Sequence, residues 1–137
     1  MTGVQTCALP ISLGEKIGSV EYLGADMERT ALGIRMGEFH QRYDLLLTPM
    51  MPIPALPVGQ DLNDPATERH WIDWSPFSYP FNLTRQPAAS IPCGLTSNGL
   101  PIGLQIVGPI YADDRVLRAA RAFETTQPER RPPLPFG

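Results

Sequence analysis

Few residues of this 137-residue chain have the type and spacing that chemistry requires. His40 falls in a helical stretch and His70 in a polar one. Neither has a Cys, His or carboxylate partner at a ligand spacing, so no metal site is expected. Cys93, in Pro92-Cys93-Gly94, has no cationic neighbour in sequence to lower its pKa and reads as a small apolar residue. Gly99-Leu100-Pro101-Ile102-Gly103 leads into a strand rather than a helix and is not a phosphate loop. Asp113 and Asp114 read as helix capping rather than a catalytic pair. A single lysine, Lys16, stands near the start, and the six serines are scattered. Trp71, Trp74, Phe77, Tyr79 and Phe81, broken by Pro76 and Pro80, form either a pocket wall or a loop pinned to the core. These residues assign no active site and imply no cofactor.

The elements that position them are legible in outline. Val20, Leu23, Met27, Ala31 and Ile34 step at three and four, the spacing of an amphipathic helix starting at Ser19. Gly33 and Gly37 weaken that helix and remove bulk, so a close approach by another element is expected there. Tyr43-Asp44-Leu45-Leu46-Leu47-Thr48, stopped by Pro49, reads as a strand buried on both faces. Pro49, Pro52, Pro54 and Pro57 then force an extended path, and Gly59 to Arg69 reads as a surface loop. Ala88 to Cys93 and Ile102 to Val107 read as a hairpin turned by Thr96-Ser97-Asn98-Gly99. Asp113 or Asp114 caps a last helix with Val116, Leu117, Ala120 and Phe123 on one face, ended by Pro128. Helices alternating with buried strands predict an α/β fold.

Composition narrows the functions. Hydrophobic residues make up 42% of the chain, enough for a core despite 12 glycines and 16 prolines. The net charge of -3, with no basic block, argues against direct nucleic-acid binding. No apolar run approaches the roughly 18 residues of a membrane span, so no membrane partner is expected. Two scattered cysteines favour a reducing, cytoplasmic setting. Residues 1–12 have neither a signal-peptide pattern nor a hydrophobic period. They resemble a peptide that recurs when adapter bases are translated at the edge of an assembled gene, and are expected to be a non-native leader. Residues 13–127 then form the domain, and 128–137 a Pro-rich extended tail.

Three ordered stretches carry a resemblance. Tyr43-Asp44-Leu45-Leu46-Leu47-Thr48-Pro49 is similar to the "yDlllTP" strand of the amidase signature family. Phe81-Asn82-Leu83-Thr84, followed by the run from Gln86 to Gly94, resembles its "N-l-t-g-x-P-A-x-s-x-P-c-G" block, with Arg85 where many members carry Gly. Gly99 to Gly108 is similar to its "GLPiGlQliG" strand. The ordered set covers roughly Ser19 to Glu124.

The resemblance implies a mixed central sheet flanked by helices, incomplete in this chain, and hydrolysis of a small-molecule amide. It also implies a serine nucleophile, a second serine joined by a cis peptide, and a lysine base, all in the family's N-terminal half. No catalytic residue is therefore assigned here. A glutamine-using stretch of the family, "S-D-x-F-T-x-P-x-N", aligns through Pro80 and Asn82 to put Trp74 and Ser75 at its first two positions and Phe77 at its Phe. Trp74, Ser75 and Phe77 are thus the expected substrate-binding residues, in the C-terminal portion of an amide hydrolase. Two alternatives stand: the glutamine-using subunit of a tRNA-dependent amidotransferase, and a stand-alone binding module. The oligomeric state is left open.

Overall fold

The computed structural model describes residues 14–68 and 71–127. The expected leader, the Pro-rich tail and His70 lie outside the described residues. In chain order the elements are α1 (Ser19–His40), β1 (Leu46–Pro49), a 3-10 turn at Trp71–Trp74, α2 (Tyr79–Thr84), β2 (Ala88–Leu95), β3 (Pro101–Val107) and α3 (Asp113–Thr126).

The expected hairpin forms the centre. β2 and β3 pair antiparallel from Ala88 opposite Val107 to Leu95 opposite Pro101. In the connection, Thr96 N donates to Leu100 O at 2.8 Å and Gly99 N to Thr96 O at 2.9 Å. Only Gly99, at φ +79°, uses the left-handed region; Asn98 does not. Pro92 opposes Gly103 and Gly94 opposes Ile102, so Cys93 is the extra residue of a bulge. Both prolines sit where a strand tolerates a missing donor, Pro92 beside the bulge and Pro101 at the first residue of β3.

β1 adds antiparallel to the other side of β3, giving the order β1-β3-β2. The expectation of a strand buried on both faces is wrong. β1 alternates half-buried and exposed, and Leu47 is 57% exposed. The cause is position: β1 is paired on one side only in the described sheet, while α3 packs over β2 and β3.

The core lies between that sheet face and α3. Ile91, Ile106, Val116 and Ala120 are buried together, with Leu104 and Phe123 packed against them. Each large apolar side chain so buried contributes roughly 1.5–3 kcal/mol. Leu117, expected on the same face, is 65% exposed. The residue before α3 is Ala112, and no side chain caps the helix. Asp113 and Asp114 lie inside its first turn instead, where Asp114 accepts from Arg118 at 2.9 Å. Gln127 leaves the helix in an extended conformation, as suits a residue preceding proline.

α1 forms where the period predicts it, but none of its residues is buried. Val20, Leu23, Met27 and Ile34 are exposed, Val20 at 84%. The element that packs on α1 is α2, a helix of 6 residues against 22. At about 1.5 Å per residue it covers less than a third of that length. The close approach expected at Gly33 and Gly37 does not occur either, since a Cβ on either would meet nothing within 4 Å. Both glycines instead line a small groove shared with Gln86, Pro109 and Ile110.

Candidate functional site

The sheet face opposite α3 carries the candidate site. Pairing places Thr48, Gln105 and Ser90 side by side across β1, β3 and β2, so the three share a face. Gly103, two residues before Gln105, lies on that face as well. A Cβ at Gly103 would fall 2.9 Å from Met50 Cβ and 3.1 Å from Ser90 Oγ. The missing side chain is what lets the chain after β1 cross close over the hairpin. Met50 N donates to Gly103 O at 2.9 Å and fixes the crossing.

From there Met50 to Leu56 follows the extended path its prolines require and forms one side of a groove of about 680 Å³. Ser90, Pro92, Thr96, Ile102 and Gly103 of the hairpin line it as well, as does Trp74. None of the lining residues carries a charge. The polar side chains among them are the hydroxyls of Ser90 and Thr96, and Thr96 Oγ1 already accepts from Leu100 N at 2.9 Å. The surface therefore suits an uncharged apolar or aromatic group. It brings no nucleophile and base together.

The three expected substrate-binding residues are placed differently. Trp74 lines the groove, and its Nε1 donates to Asp61 O at 2.9 Å, which ties the ring to the polar loop. That loop is ordered by its own carboxylates: Glu68 Oε2 accepts from Asn63 N and Asp64 N, and Asp64 Oδ1 from Ala66 N. Ser75 is buried at 5% exposure and Phe77 is half-buried; neither is among the lining residues. Phe77 instead offers its carbonyl to Gln105 Nε2 at 2.8 Å.

The segment from Ser75 to Ser78 leads into α2, whose end is set by an unusual residue. Arg85 adopts φ 59° and ψ 33°, the left-handed conformation that favours glycine. Beyond it, Gln86 accepts from Thr84 Oγ1 at 2.8 Å and donates to Gly108 O at 3.2 Å, fixing α2 to the end of β3.

Among the described residues no group of three or more His, Cys, Asp or Glu side chains could hold a metal ion. His40 makes a short-range contact instead, with Nδ1 3.1 Å from Tyr43 O. No helix among the described residues is long and apolar enough to cross a membrane.

The amidase family model matches residues 6–117. The chain belongs to that family. It is 39% identical over 105 residues to a glutamyl-tRNA(Gln) amidotransferase subunit of Brevibacillus brevis, a match covering 77% of this chain and 21% of that protein. Among solved structures it is similar to the same subunit from Thermotoga maritima, at 32% identity and TM-score 0.72, covering 93% of this chain and 26% of that one. A bacterial aryl acylamidase of the amidase signature family matches at 30% identity and TM-score 0.72, over 86% of this chain and 25% of that one. The chain thus spans about a fifth of the length of the curated relatives it matches. The α/β architecture is that of the amidase signature enzymes, represented among the described residues by three strands and their flanking helices.

The greater part of this groove is not legible in the sequence. The proline spacing after Pro49 announces an extended strand-like path, but which surface that path covers depends on Gly103, far along the chain in another strand.

Proposed function

We propose that this chain forms one wall of the substrate pocket of an amide hydrolase, as the C-terminal portion of a longer amidase chain. The observation that carries the reading is the groove itself, lined by Met50 to Leu56, Trp74 and the hairpin with no charged residue. Such a wall excludes water from the apolar part of a neutral aryl or alkyl amide and holds it in place. The nucleophilic serine, the cis-peptide serine and the lysine base implied by the family pattern come from outside the groove, with no cofactor. A cytoplasmic location and a small-molecule amide as substrate of the full-length enzyme accompany this reading, with no direct binding of nucleic acid.

The second reading is the glutamine-using subunit of an amidotransferase. It is favoured by the names of the relatives, which from Brevibacillus brevis to Thermotoga maritima are glutamyl-tRNA(Gln) amidotransferase subunits. Against it, the aligned position of the acidic residue is held by Ser75, itself buried.

The test is a titration of the 137-residue chain with acetanilide and with glutamine, read by Trp74 emission in a Trp71→Phe background. A saturable response to acetanilide and none to glutamine is expected. A response to glutamine alone overturns the reading in favour of the second.

A further inference from the structure

Gln105 is the polar residue in an otherwise apolar strand, Ile102-Gly103-Leu104-Gln105-Ile106-Val107, and it is 3% exposed. A buried carboxamide is costly unless its hydrogen-bonding groups are partnered. Its Nε2 donates twice, to Thr48 Oγ1 at 3.0 Å and to Phe77 O at 2.8 Å. The Phe77 carbonyl can only accept, so the amide must turn its nitrogen toward it, and the orientation of the side chain is fixed. One –NH₂ group in the middle of the central strand therefore joins β1, β3 and the chain between Trp74 and α2.

We propose that Gln105 is a positioning residue for the groove: through the Phe77 carbonyl it holds the segment from Trp74 to Ser78 against the sheet, and so sets where the Trp74 wall stands. The inference rests on the groove being the substrate wall only for its consequence on ligand binding. The tie itself is independent of what the groove holds. Leu or Met at this position would fill the space without either donor. The Phe77 carbonyl would then be left without that bond, while the backbone pairing of β3 with β1 and β2 is made by main-chain groups and is retained.

The test is amide hydrogen exchange on the 137-residue chain and its Gln105→Met variant, read at Ser75, Phe77 and Ser78 and, as an internal standard, at Leu104 and Ile106. Exchange in the segment is expected to rise by roughly 5–30-fold, the effect of one lost buried hydrogen bond on a local opening equilibrium, with the β3 amides unchanged. Equal acceleration at both places, or none at the segment, overturns the proposal. Should Gln105→Met not fold, the unmutated chain decides. The Gln105 side-chain amide protons are expected to exchange far more slowly than those of the exposed Gln41, and exchange as fast as Gln41 overturns it. Acetanilide binding separates this inference from the functional reading. Loosening of the segment in a chain that never bound acetanilide sinks the functional reading alone, whereas acetanilide binding with no loosening sinks the role of Gln105 alone.

Discussion

A side chain at Gly108 would collide with Val116: a Cβ there falls 2.6 Å from Val116 Cγ2. Val116 is β-branched, 2% exposed and packed in the core beside Ile91 and Ile106, so its methyl has no room to retreat. Gly108 also donates to Pro87 O at 3.0 Å and accepts from Gln86, which keeps its own backbone in place. Gly108→Ala is expected to lower stability by about 1–3 kcal/mol, as overpacking of a filled core does. Urea unfolding followed by circular dichroism checks this, and an unchanged midpoint would contradict it.

Arg85 supplies the opposite case. A left-handed conformation costs an L-residue about 1–2 kcal/mol, and glycine, which avoids that cost, gives back roughly 0.4–1 kcal/mol through its freer unfolded chain. Arg85→Gly is therefore expected to stabilise the chain by about 0.5–1 kcal/mol. The Arg85 side chain is exposed, so little offsets the gain. A thermal midpoint that falls on this substitution would show that the side chain contributes a contact of its own.

The two faces of α3 give a paired prediction. Ile106→Ala removes branched apolar bulk from beneath the helix and is expected to cost about 2–5 kcal/mol. Leu117→Ala, on the outer face, is expected to stay within about 0.5 kcal/mol of the parent. Equal losses from both would mean that Leu117 is covered in solution.

Leu117 also shows what a sequence can and cannot tell. Val116, Leu117, Ala120 and Phe123 all satisfy helical spacing, and the period alone cannot say where the buried arc ends. Burial of that arc depends on how α3 lies across β2 and β3, a tertiary fact. The same holds for β1 and α1: the apolar residues predict the element correctly, and their exposure follows from what lies beside them. Local chemistry, by contrast, was readable at the hairpin, where Gly99 takes the positive φ that the turn requires. The Arg85 departure from the family's glycine was visible in sequence as well, but its meaning waited for the backbone angle. Of the expected residues Trp74, Ser75 and Phe77, Trp74 lines the groove and the other two do not. Apart from Ser90 and Thr96 its other lining residues are apolar or glycine, and such types do not separate lining a groove from filling a core.

The 137-residue chain is expected to release no product from simple amides above a mock purification. In the functional reading proposed above, the nucleophile and the base both lie outside the groove, and losing them together removes many orders of magnitude in rate. Ser90, the serine in the groove, has its Oγ 3.1 Å from where a Cβ on Gly103 would stand, and no residue lining the groove is a base. Turnover that Ser90→Ala abolishes would overturn the assignment.

The choice between hydrolase and amidotransferase comes down to the position held by Ser75. The resemblance implies that the aspartate of the glutamine-using pattern meets the substrate's α-ammonium, and a hydroxyl hydrogen-bonds an ammonium without neutralising it. Loss of that charge-assisted bond in a partly desolvated pocket costs on the order of 1.5–3 kcal/mol, roughly a 10- to 100-fold penalty on glutamine. Ser75 is buried away from the groove lining, and Trp74 beside it presents an indole instead, so the penalty is not made up by the wall itself. Asp73, the nearest carboxylate in sequence, is exposed on the 3-10 turn. In a longer amidase chain of the kind proposed above, carrying the serines and the lysine, kcat/KM for a neutral aryl amide is expected to exceed that for glutamine by at least that factor. Asp73→Asn is expected to leave the ratio unchanged. A larger kcat/KM for glutamine, lost in Asp73→Asn, would mean that Asp73 takes the aspartate's role and that the enzyme belongs to an amidotransferase.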